Sequence, residues 1–171
     1  MMAYHMRQVV NKNSSKSKKT YKPKSSVKRY YGRHKLPGTS KLEEKFAKEF
    51  LQKLGVKFIY QFKVEEIGRW YDFYLPEHNL IIEIDGSYYH ADPRVVSEDK
   101  LTPMHKHNMR VDEYKNRWAL AHGIPIVRIW EKDINDSPSR VLDELKVVLG
   151  LQEKKTILIE NKNKRHTNKI K

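Results

Sequence analysis

Leu80-Ile81-Ile82-Glu83-Ile84-Asp85 is the most apolar stretch of the chain, and it ends in two carboxylates. A run this rich in Ile reads as a strand buried on both faces. With a period of two, Glu83 and Asp85 point to the same face. Asp72 lies on the preceding strand-like segment, one short hairpin away, so three carboxylates can converge at one end of a sheet. Leaving them buried and unpaired would cost several kcal/mol each, so a cation must compensate. A divalent metal held by oxygen ligands, Mg²⁺ or Mn²⁺, is one solution. Neighbouring Arg or Lys side chains are the other, and Asp85-Gly86 as a simple turn is a third reading of that end.

The elements around this strand follow from pattern. Ser40 reads as an N-cap with Glu43 three residues on, and Leu42, Phe46, Ala47, Phe50, Leu51 and Leu54 recur at helical spacing until Gly55. Strands are expected over 56–62, 70–75, 80–85 and 125–130. Residues 86–106 read as irregular, with Pro93 and Pro103 as breakers. A helix is expected over 107–122, ending at Gly123, and another opens at Ser137-Pro138 and ends at Gly150. The order α-β-β-β-α-β-α implies an α/β fold, a mixed sheet flanked by helices. Thr156 to Glu160 is read as an additional edge strand.

Charge divides the chain into three parts. Residues 1–40 carry 11 Lys and Arg and no acid; residues 41–150 carry 17 basic against 19 acidic; residues 151–171 carry 7 against 2. The expected organisation is a basic, disordered arm over 1–38, a domain over 39–150 and a basic tail over 151–171. Such arms gain affinity for nucleic acid by releasing counterions from phosphates. Lys28, Arg29, Arg33 and Lys35 are the arm's candidate DNA contacts, with Tyr21, Tyr30 and Tyr31 able to stack on bases. A solubilising or localisation tail is the plainer reading. No apolar run approaches the roughly 20 residues of a membrane span, and the polar, basic N-terminus does not read as a secretory signal. The expected setting is the cytoplasm, or a host's cytoplasm for a phage protein. Zero cysteines exclude disulfides, thiolate zinc sites and a Cys nucleophile.

His90 follows the buried strand by five residues. Gly86 permits a positive φ and a sharp exit that folds His90 back towards the carboxylates. Imidazole titrates near pH 6.5 and suits deprotonation of a water, and Asp112 on the next helix is placed to orient it. His105 and His107 read as solvated loop residues.

In this arrangement Asp72, then Glu83-Ile84-Asp85 resembles the PD-(D/E)xK nuclease core, with Asp85 in place of the usual lysine. Ser40-Lys41-Leu42-Glu43, Asp72-Phe73, Asp85-Gly86-Ser87-Tyr88-Tyr89-His90, Asp112 eleven residues before Gly123, and Ile129-Trp130-Glu131 together resemble one branch of it. That branch comprises the very-short-patch-repair endonucleases and the EDxHD homing endonucleases. The resemblance covers about residues 40–136 and implies a restriction-endonuclease-like core. It places Glu43, Asp72, His90 and Asp112 on the four named EDxHD positions, with Glu44 as a competitor for the first. It implies that Asp72 and the Ile84 carbonyl hold the metal, beside Glu83 and Asp85, that His90 is the general base supported by Asp112, and that Glu43 acts through water. Tyr88 and Tyr89 match positions where repair enzymes wedge aromatics into DNA. The repair enzymes' Cys/His zinc has no counterpart here, so no zinc is expected, which turns the resemblance towards homing-type, phage or mobile-element nucleases. The expected partner is double-stranded DNA, cut or nicked, with a monomer favoured. The alternatives are a non-catalytic nucleic-acid-binding protein on a degenerate nuclease fold and an RNA-processing nuclease.

Overall fold

The computed structural model describes Met6–Val9 and residues 40–151. Helix α1 (Lys41–Phe46) starts where Ser40 predicts it: the Ser40 hydroxyl accepts from the Glu43 N–H, and the Glu43 carboxylate accepts from the Ser40 N–H. The predicted helix does not stay α throughout, because Ala47–Leu51 widens into a π turn. Strands β2 (Ile59–Val64), β3 (Arg69–Leu75) and β4 (Leu80–Asp85) then form an antiparallel meander. Helix α2 (Pro103–Ala121) crosses over to β5 (Ile126–Trp130), which runs parallel to β4. Helices α3 (Glu131–Asp136) and α4 (Pro138–Val148) close the described domain. The mixed α/β architecture is the expected one.

Four features differ from expectation. The strand expected from Val56 begins three residues later, at Ile59. Helix α2 begins at Pro103 rather than His107, since Pro is well placed in a first helical turn, where its missing N–H has no partner to lose. Thr102 caps that turn and His105 Nδ1 accepts from the Thr102 N–H. His105 and His107 are therefore helical, and His105 is buried. Helix α3 was not foreseen; it follows directly on β5 and is only six residues long. Finally, Met6–Val9, within the segment read as a structureless arm, forms strand β1 antiparallel to β5, giving the sheet order β1-β5-β4-β3-β2. The remainder of the arm, with Lys28, Arg29, Arg33 and Lys35, and the strand expected over Thr156 to Glu160 lie outside the described residues.

Two cores sandwich the sheet. Phe46, Phe50, Phe58, Tyr60, Phe73, Ile82, Ile84, Val141 and Leu145 fill the side under α1 and α4. Ile59, Phe62, Tyr71, Tyr74, Ile81, Trp118 and Ile126 fill the side under α2. Phe73 centres the first, its ring 5.0 Å from Tyr60, 5.5 Å from Phe58 and 5.6 Å from Phe46. Truncating such a ring to Ala costs about 3–5 kcal/mol.

The alternation of faces breaks at one place, and that place positions the site. Phe58 and Tyr60 belong to the α1 side, but Phe62 and Val64 to the α2 side; Tyr71 lies on the α2 side, but Phe73 on the α1 side. Both strands change phase where Gln61 stands opposite Asp72, the position that the β2–β3 ladder skips between Tyr60↔Phe73 and Phe62↔Tyr71. Gln61 adopts φ +50 there, a strained conformation for a residue with a side chain. The β3–β4 ladder likewise ends at Phe73↔Ile82. Beyond it the strands part, and the Asp72 side chain fills the gap by accepting the Ile84 N–H at 2.7 Å.

Candidate active site

The sheet end brings Asp72, Glu83, Asp85, His90 and Asp112 together, with Glu43 approaching from α1. Strand β4 is buried along its whole length, so each of its carboxylates needs a partner. Glu83 has Lys115, whose Nζ lies 2.7 and 2.8 Å from the two carboxylate oxygens. The Lys115 ammonium also sits 4.8 Å over the Tyr71 ring, and the Tyr71 hydroxyl donates to the Lys115 carbonyl at 2.8 Å. Burial still holds the Glu83 carboxyl above its ordinary range, against the pull of Lys115 and Arg128.

Asp85 has Arg128, its near neighbour on β5. The guanidinium grips both Asp85 oxygens from Nε at 2.8 Å and Nη2 at 2.7 Å. Nη2 also reaches Asp112 Oδ1 at 2.7 Å, and Nη1 donates to Asn116 Oδ1 at 3.3 Å. Asp112, Lys115 and Asn116 lie three and four residues apart, on one face of α2. That face is how a single helix supplies an acid, a cation and an amide to the same sheet end.

His90 completes this half of the site. The chain leaves β4 in a tight loop: the His90 N–H donates to the Gly86 carbonyl at 3.0 Å and the Asp92 N–H to the Ser87 carbonyl at 2.8 Å. The left-handed residue is Ala91 at φ +53, not Gly86 as predicted. His90 Nδ1 pairs with Asp112 Oδ2 at 2.7 Å and lies 3.8 Å from Asp85 Oδ1. Burial opposes its charge, but the hydrogen bond to Asp112 and the charges of Asp85 and Asp112 outweigh it and raise the imidazole above its usual range. Burial opposes the Asp112 charge too, and His90 and Arg128 overcome it, lowering that carboxyl. Because Nδ1 is committed to Asp112, Nε2 is the ring nitrogen left to exchange a proton with substrate or water. The loop is fixed from outside as well. Arg94 binds Asp92 and Asp133, Ser87 Oγ accepts from the Lys132 N–H, and Asn108 donates to the Tyr89 carbonyl. Tyr88 and Tyr89 stand exposed on its crest, with Tyr88 edge-on to His105.

Asp72 differs from all of these. It makes no ion pair among the described residues, and its carboxyl is held well above the usual range by burial, then by the Glu83 and Glu43 charges. Glu43, not Glu44, faces it: Gln61 Nε2 donates to Glu43 Oε2 at 2.6 Å.

Two places suit a metal ion on different grounds. Ligand atoms of Asp85, His90 and Asp112 lie within 4.8 Å of one another, yet Arg128 already fills the charge there. Asp72, beside Glu43 and the Ile84 backbone, has no ion pair, and its Oδ1 no hydrogen bond, among the described residues. That donor set is hard oxygen, the kind Mg²⁺ or Mn²⁺ takes, so the residues fit the group better on this side.

Arg128, Lys115, Asn116 and Gln61 were not foreseen as site residues. Arg128 did carry a signal, since a charge in the middle of Ile-Val-Arg-Ile-Trp demands a buried acid. Among the described residues, no helix is long and apolar enough to cross a membrane. No family model, curated protein or solved structure matches the chain.

Proposed function

We propose that the protein is a metal-dependent DNA endonuclease of the PD-(D/E)xK type, closest in pattern to the EDxHD branch. The observation that carries this reading is the Asp72–Glu43 pair, which has no ion pair among the described residues, beside a preformed His90–Asp112 dyad, at a sheet end where Lys115 holds Glu83 and Arg128 is shared by Asp85 and Asp112. Asp72, with the Ile84 carbonyl, would hold Mg²⁺, and Glu43 would act through water. The ion would polarise the scissile phosphate and lower the pKa of a water bound to it. His90 Nε2 accepts a proton from the attacking water, and Asp112 holds the ring in that tautomer and stabilises the imidazolium that results. Arg128 keeps Asp112 ionised and in place. Asp85, gripped by Arg128, orients the guanidinium rather than a ligand. The basic N-terminal segment supplies phosphate contacts, and Tyr88 and Tyr89 meet the duplex beside the cut.

Supercoiled plasmid incubated with Mg²⁺, with Mn²⁺ and with EDTA tests the activity. The expected outcome is metal-dependent nicking or linearisation that Asp72→Asn abolishes while DNA binding persists. The absence of any metal-dependent product over plasmids of varied sequence counts against it.

A second reading is a non-catalytic nucleic-acid-binding protein. Its specific support is that Glu83 and Asp85, two expected metal ligands, are both taken by Lys115 and Arg128. Calorimetry with Mn²⁺ separates the two, because a non-catalytic protein shows no heat that Asp72→Asn removes.

A further inference from the structure

Trp70 is the exception among the three tryptophans. Trp118 and Trp130 are buried, whereas Trp70 is 52% exposed on strand β3, most of whose other residues are buried. A single exposed apolar residue is ordinary; the surroundings of this one are not. The Lys63 ammonium, on the paired residue of β2, lies 5.6 Å from the centre of its ring. Arg69, next in sequence, is exposed and makes no ion pair among the described residues. Lys63 itself is shared with Glu65 at 2.9 Å.

The position of this group matters more than its composition. Trp70 lies two residues out from Asp72 on the same strand, about 7 Å along it. Lys63 lies two residues out from Gln61, whose side chain holds Glu43. Phe62 and Tyr71 turn to the α2 side, so Lys63 and Trp70 turn to the α1 side, where Glu43 stands. A line therefore runs from the uncompensated carboxylates to an exposed indole with cations beside it.

We propose that Trp70, with Lys63 and Arg69, is a stacking platform for the nucleotide next to the scissile phosphate. This rests on the nuclease reading, because the same phosphate must sit at Asp72 for its neighbour to reach Trp70. Aromatic faces stack on any base, and adjacent cations meet the flanking phosphates, so the platform contributes affinity and register without sequence preference.

The test uses the full-length protein in EDTA with a mixed-sequence duplex oligonucleotide carrying a short single-stranded gap, where base faces are free to stack, read by DNA anisotropy and by acrylamide quenching of tryptophan fluorescence. Because Trp70 is the exposed tryptophan, it dominates quenching in the free protein. DNA is expected to protect it, and the protection should vanish in Trp70→Phe. Trp70→Ala is expected to weaken binding about tenfold and Trp70→Phe by less than about threefold, with circular dichroism spectra unchanged. Arg69→Ala should reduce the log–log salt slope by about 0.9. If anisotropy reports binding but quenching is unaltered and Trp70→Ala binds like the wild type, the platform is wrong and the nuclease reading stands. If no DNA binds either in EDTA or with Ca²⁺ in its place, the nuclease reading fails and the platform falls with it.

Discussion

Two groups of carboxylates share one sheet end and meet opposite fates. Asp85 and Asp112 are held by Arg128 and His90, and Glu83 by Lys115, through pairs of 2.7–2.8 Å. Asp72 and Glu43 have no such cation among the described residues, and folding drives the Asp72 carboxyl up while driving the Asp112 carboxyl down. A buried pair is retained when both members are present and is ruinous when one is lost. An uncompensated acid, by contrast, destabilises the fold that holds it. The first group is thus part of the architecture, whereas the charge of the second is relieved by a proton or by the cation proposed above.

The largest expected effect comes from breaking the first group. Arg128→Met leaves Asp85 buried without its cation and removes one anchor of Asp112, and should cost about 3–5 kcal/mol of stability. Urea unfolding in EDTA measures it. A cost within about 0.5 kcal/mol would show that solvent reaches Asp85 and that the two groups are not different in kind.

Next in size, and opposite in sign, is Asp72→Asn. The amide keeps an oxygen for the Ile84 N–H and removes the repulsion from Glu83 and Glu43. Cleavage should disappear while the metal-free protein becomes more stable near neutral pH, by about 2–4 °C in Tm for each kcal/mol relieved. Mg²⁺ should raise the Tm of the wild type and leave the variant unmoved. A destabilised variant would mean that the Asp72 charge is compensated in the fold.

Titration sharpens the contrast. Asp112 has a depressed folded pKa, so its contribution is complete above about pH 3.9 and is lost as pH falls through the folded value. Asp72 has a raised one, so its penalty is absent below about pH 3.9 and full only above the folded value. His90 is also raised: its protonated form stabilises the fold below about pH 6.5, and that contribution is lost as pH rises through the folded pKa. As a base it must be neutral, so nicking should climb with pH on a limb centred above 6.5. Asp112→Asn should move that limb down in pH and lower its plateau, and His90→Ala should cut turnover by roughly 10²–10⁴. In metal-free protein, Asp72→Asn should flatten the loss of stability as pH rises above about 3.9, and Asp112→Asn should remove the gain as pH rises towards that value. A pH–rate profile that does not respond to Asp112→Asn would remove the dyad.

How much of this was legible depends on the range of the interaction. β4, the N-cap at Ser40 and the approach of Asp72, Glu83 and Asp85 to one another rest on local periodicity and one short hairpin, and the chain displays them; Asp112 reaches the site only once α2 is docked. The partners of the acids rest on pairings 32 and 43 residues apart, which periodicity cannot rank. Lys115 looks like any helix lysine until α2 is docked. Gln61 reads as an ordinary polar strand residue, because a left-handed φ leaves no mark unless Gly or Asn carries it. Pro103 misled for a different reason, since the same residue breaks a helix interior and begins a helix.

The smallest expected effect on stability separates the arm's charge from its strand. Deleting residues 1–38 would remove β1 along with the basic side chains, exposing the backbone edge of β5 and confounding binding with folding. Replacing Lys28, Arg29, Arg33 and Lys35 by Gln leaves β1 in sequence and changes charge alone. Stability should then stay within about 0.5 kcal/mol of the wild type. Each phosphate that the arm no longer neutralises should lower the slope of log K against log salt by about 0.9, to a total of about 3.6 for all four. Removing only residues 1–9 should do the reverse, lowering Tm while altering the salt slope by no more than the one charge of Arg7. If the four-residue variant keeps the wild-type slope, those side chains do not touch the phosphates, and the salt-dependent contacts must come from the arm's seven other basic residues, from the basic 151–171 segment or from the domain. The acids of the domain slightly outnumber its bases, so any share carried there would depend on how a few cations are placed rather than on net charge.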